Sequence, residues 1–77
     1  MSTSSERQGG NAAVGQFPHL GRTLEVQRSA QQWGLRVGAV ALDTRDLSAG
    51  IEHLFGKRRE NLGLAVRVME WDNSQRP

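Results

Sequence analysis
The chain has 77 residues, 36% of them hydrophobic, no cysteine, and ten basic against eight acidic side chains for a net charge of +2. That length allows one small domain with a marginal core, and the missing cysteines exclude disulfides and thiolate zinc sites, so a partner subunit is the remaining reinforcement. The mild positive charge permits a polyanionic partner without requiring one.

Residues 1–15 are rich in Ser, Gly, Gln, Asn and Ala and hold too little apolar surface to offset the entropy of ordering, so they read as a disordered arm. Residues 16–72 read as a single small α+β domain, and residues 73–77 as a disordered tail. The longest apolar run, residues 37–42, is too short to cross a bilayer. The N-terminus lacks the basic-then-apolar layout of a secretory leader, so no membrane partner and a cytoplasmic location are expected.

Pro18 holds Phe17 out of the helical region, and Gly21 interrupts the chain again. Over residues 22–33, Val26, Ala30 and Trp33 recur at helical spacing behind a Thr23 cap and before Gly34, which predicts a helix. The weak alternation from Thr23 to Arg28 leaves a strand as the competing reading. Residues 35–42, branched and small, predict a central strand apolar on both faces. Asp43 and Thr44 offer caps to a following helix, with Asp46 in its first turn.

Leu47, Ile51, Leu54 and Phe55 then form one helical stripe that ends at Gly56, and the internal Gly50 implies close packing on the sheet. Lys57, Arg58, Arg59, Glu60 and Asn61 make a charged connection. Residues 64–71 alternate, with Leu64, Val66 and Val68 opposed to Ala65, Arg67, Met69 and Trp71, which predicts an edge strand. Leu62, Ala65, Val66 and Met69 also fit a helical stripe, which Gly63 and the two valines argue against.

The expected fold is therefore a two-layer α+β domain in the order (helix), strand, helix, strand, with parallel strands in a right-handed βαβ unit. The alternative, ββαβ, applies if residues 22–28 form a strand.

Two histidines 34 positions apart, His19 and His53, supply no metal site without cysteine. Ser29, Thr44 and Ser48 sit in helix and cap contexts, and Asp43 and Asp46 act as first-turn anions, so no catalytic set emerges and no enzyme is expected. No glycine-rich loop with its lysine is present to seat a nucleotide triphosphate, so no cofactor and no small-molecule substrate is expected.

What remains is a small interaction protein of bacterial or phage type, an adaptor, inhibitor or regulatory subunit, that pairs with a protein or with itself through its edge strand. Arg67, Met69 and Trp71 mark that surface, and a homodimer is the expected form. The alternative is a nucleic-acid-binding regulator that uses Lys57, Arg58 and Arg59 with Arg36 and the arm residue Arg7. A ribbon-helix-helix version of it, with a strand at 35–42 and helices at 45–55 and 59–71, offers only Arg36 as a base-reading side chain.

Overall fold
The computed structural model describes residues 12–76. Four strands precede two helices: β1 (Ala12–His19), β2 (Arg22–Ser29), β3 (Gln32–Val37), β4 (Val40–Thr44), α1 (Leu47–Phe55) and α2 (Arg59–Ser74). The strands form one antiparallel meander in the order β1-β2-β3-β4, which leaves β1 and β4 as its edges. The domain is thus α+β as expected, with a different order of elements.

Three two-residue turns fold the meander. His19 pairs with Arg22, Ser29 with Gln32 and Val37 with Val40 across them. Leu20 (φ 52°) and Gly21 (φ 74°) both take positive φ in the first turn, the pattern whose twist matches an antiparallel pair. Ala30 (φ 49°) and Gly38 (φ 60°) open the other two.

Alternation along the strands puts Phe17, Leu24, Val26, Trp33 and Leu35 on one face, all buried. Gln16, Pro18, Thr23, Gln27 and Arg36 lie on the other face and are exposed. Both helices pack on the first face, α1 against β3 and β4, and α2 against β1 and α1. Leu47 and Ile51 from α1 and Leu64, Ala65 and Val68 from α2 complete the core.

The helix expected at 22–33 is β2, the second turn and the start of β3. Its apparent helical stripe hid a period of two, because the inward row of β2 ends on a charge. Arg28 turns inward, its guanidinium 4.8 Å from the centre of the Trp33 ring and its Nε 3.8 Å from Asp72 Oδ2. The single strand expected at 35–42 is two strands, β3 and β4, folded at Gly38.

The edge strand expected at 64–71 lies inside α2, so among the described residues there is no βαβ unit and no parallel pair, and ββαβ is not the order found. Burial of Leu64, Ala65, Val68 and Asp72 follows the helical period. The helix placement of the ribbon-helix-helix reading is close to that observed, but its ribbon is a folded hairpin within a four-stranded sheet. Ala12, Ala13, Val14 and Gly15, assigned to a disordered arm from sequence, belong to β1, while the rest of that arm lies outside the described residues. At the other end α2 continues through Ser74, into the expected tail.

α1 forms where expected, though capped later. Asp46 is its N-cap, accepting from the Ala49 amide at 3.2 Å, and Thr44 Oγ1 accepts from the Asp46 amide at 3.2 Å. Asp43 points away, on the exposed face of β4. Gly56 (φ 91°) closes the helix through its N–H to the Glu52 carbonyl. The close packing expected at Gly50 is present: a Cβ there would collide with Leu35 Cδ1 and stand 2.7 Å from Thr44 Cγ2.

Candidate functional site
Two surfaces of the described residues concentrate unspent chemistry, and the first is the outer face of α2. Leu62, Val66 and Met69 recur at i, i+4 and i+7 and are 56%, 53% and 52% exposed. They border the covered stripe at Ala65, so the apolar arc of α2 is wider than the sheet and α1 can cover. Beyond Met69 the surface dips into a shallow pocket whose lining includes Trp33, Leu47 and Ser48.

Of the expected interface residues, only Met69 belongs to this face. Residues two apart share a face of a strand but stand about 200° apart on a helix, so Arg67 moves to the polar flank. Trp71 turns inward, its ring edge-on to Phe17 at 5.5 Å between centroids and seated over Gly15, where a Cβ would stand 2.9 Å from the indole. Trp71 is therefore half-buried packing for β1. In the sequence, Leu62 and Val66 belong to the competing helical stripe with Ala65 and Met69.

The second surface is the end of the domain that carries the α1–α2 turn. Lys57, Arg58 and Arg59 are all exposed there. The β1–β2 hairpin packs beside them through His19, whose Nε2 lies 3.1 Å from Asn61 Oδ1 and therefore donates to it. The His19 ring also stands edge-on to Phe55 at 5.4 Å. Asn61, 2% exposed, donates in turn to the Gly56 carbonyl, immediately before Lys57.

This chain of contacts places Arg22, the cross-strand neighbour of His19, at the same end. Arg22 also rims an open groove floored by Val37, Val40 and Leu54, with His53 and Thr23 at its edge. Sequence spacing could not show this, because only the packing of His19 on Phe55 and Asn61 puts the β1–β2 hairpin at the end that carries the α1–α2 turn. Arg36 does not join them: it sits on the uncovered sheet face, 3.9 Å from Glu25. The arm residue Arg7 lies outside the described residues.

That uncovered face is a shallow saddle of mixed charge, with Gln27, Gly34 and Asp43 abreast across three strands. Inside the molecule Asp72, 7% exposed, holds Arg76 at 3.1 Å as well as Arg28. The contact to Arg28 is an ion pair without a hydrogen bond, and the Nε of Arg28 has no acceptor. Among the described residues no group of three His, Asp or Glu side chains is placed to hold a metal ion. No helix among the described residues is long and apolar enough to cross a membrane. Comparison with known protein families, with curated proteins and with solved structures finds no match.

Proposed function
We propose that this chain is a non-enzymatic protein–protein interaction module, an adaptor, inhibitor or regulatory subunit, that docks its partner on the outer face of α2. The observation that carries this reading is the stripe of Leu62, Val66 and Met69, each more than half exposed in one line on a well-formed helix. Single exposed apolar residues are ordinary, whereas an aligned row on one helix is the form that helix-docking surfaces take. The contact surface read from sequence as a strand edge becomes a helix face.

The test is a photo-crosslinking side chain placed in turn at positions 62, 66 and 69, with positions 60 and 67 on the polar flank as controls. In cells that make the protein, adducts should form from the first three positions and not from the controls. Equal yields at all five, or none, would count against the reading.

A second reading has its own support. The gathering of Arg22 with Lys57, Arg58 and Arg59 at one end forms a basic patch that suits a phosphate backbone, as a nucleic-acid-binding regulator would need. Replacing Lys57, Arg58 and Arg59 together by Ala should then abolish retention on nucleic acid at low salt and flatten the salt dependence. If the unmodified protein shows no retention at low salt, this reading is lost.

A further inference from the structure
We infer that the occupant of the outer α2 face is the same face of a second copy, packed antiparallel about a two-fold axis that crosses the outer side of the helix at the height between residues 64 and 65. This rests on the docking reading above and names its partner.

The argument comes from what flanks the stripe. At 3.6 residues per turn, Arg59 and Glu70 lie about 60° and 80° around the helix from Leu62, on the same side of the stripe. Both are exposed, and among the described residues neither takes part in an ion pair. Two-fold antiparallel pairing matches residues whose numbers add to a constant, and with the axis between 64 and 65 it sets Arg59 of each copy level with Glu70 of the other.

That same register brings Leu62 of one copy between Val66 and Met69 of the other, so the charge match and the apolar match agree. A two-fold parallel pairing would instead put this flank of the two copies on opposite sides of the seam, where Arg59 and Glu70 do not meet. Antiparallel packing also opposes the two helix dipoles favourably.

Gly63 supplies an independent mark. Nothing lies within 4 Å of where its Cβ would be, so no contact inside the molecule calls for a glycine in the first half of this 16-residue helix. In the proposed register Val66 of the second copy sits level with Gly63. Gly63 lies on the flank that carries Arg59 and Glu70, about 100° round from Leu62, and leaves the edge of the seam beside that Val66 open. One helix pair covers less than the roughly 1,200 Å² of a standard stable interface, so the dimer should be weak and should appear with rising concentration.

The experiment uses the full chain. Sedimentation across a concentration series should show a monomer–dimer equilibrium. Arg59→Glu or Glu70→Arg alone should weaken it by about tenfold, and the two together should restore it to within about twofold. Because the chain holds no cysteine, Val66→Cys gives a clean second readout. Mild oxidation should convert it to a covalent dimer, while Arg67→Cys on the polar flank should stay monomeric.

A folded monomer at every concentration, with Val66→Cys no faster to cross-link than Arg67→Cys, overturns the inference. The photo-crosslinked adduct separates this failure from failure of the docking reading. An adduct of twice the chain mass supports self-pairing, an adduct of any other mass leaves a docking module without self-pairing, and none at positions 62, 66 or 69 removes both.

Discussion

Each helix of this domain holds an internal glycine, and the two meet opposite surroundings. Gly50 in α1 is buried, pressed so closely on β3 and β4 that a Cβ would overlap the side chains of Leu35 and Thr44. Gly63 in α2 faces open space. The first glycine is explained by the fold of the single chain, and the second is not. The large apolar residues divide in the same way: those of α1 are buried or half-buried, whereas α2 leaves Leu62, Val66 and Met69 outside. Helix α1 is spent on holding the sheet, and α2 carries apolar surface beyond what the sheet and α1 can cover.

The sharpest way to break this comparison is to truncate the two sides of α2 separately. Leu64, 2% exposed, should cost about 2–5 kcal/mol when changed to Ala, since the transfer and cavity terms both apply. Leu62→Ala should stay within about 0.5 kcal/mol of the parent in a dilute sample. Urea unfolding of the two variants at low concentration measures both, and equal losses would mean that Leu62 is packed within the monomer.

A step smaller, Gly50→Ala improves helix propensity and still should lower stability by about 1–3 kcal/mol, because Leu35 and Thr44 must move. Thr44 is branched at Cβ and has little freedom to do so. A neutral or raised midpoint would show that α1 can lift off the sheet without penalty. Asp72→Asn belongs to the same range, about 1–3 kcal/mol. It removes the charge that Arg28 faces at the end of the core, where the side chains are 18% and 11% exposed. Thermal unfolding should show the loss, and it should be smaller in Arg28→Leu/Asp72→Leu, which removes both charges together.

The comparison also explains which parts of the molecule were legible in the sequence. α1 could be read from Leu47, Ile51, Leu54 and Phe55 because its apolar residues all face one way and its stop, Gly56, is a positive-φ glycine. α2 was misread because it serves two surfaces at once. With Leu62 and Val66 outside and Leu64 and Val68 inside, apolar residues fall at every second position, which imitates a strand. The same mixing concealed β2 and β3. An inward arginine, Arg28, breaks the alternation of Leu24 and Val26, and it is tolerated only because Trp33 and Asp72, distant in sequence, receive it.

The basic turn at Lys57, Arg58 and Arg59 was visible as a run, but its neighbour Arg22 was not, since only the packing of His19 on Phe55 and Asn61 brings the hairpin to it. The three turns of the meander were equally hard to see. Leu20 and Ala30 hold positive φ without being Gly, Asn or Asp, and so give no turn signal.

Gly63 offers the finest discrimination, because one substitution should move two measurements in opposite directions. For an isolated chain, Gly63→Ala adds a methyl group into open space and lowers the entropy of the unfolded state, so dilute samples should gain about 0.5–1 kcal/mol. A domain of this size would then melt about 4–8 °C higher for each kcal/mol gained. In the antiparallel pair the same methyl group stands at the edge of the seam, level with Val66 of the second copy, and association should weaken by about twofold. A variant that melts higher and self-associates less assigns the glycine to the pairing of two copies. One that melts higher and self-associates as well as the parent leaves Gly63 without that role.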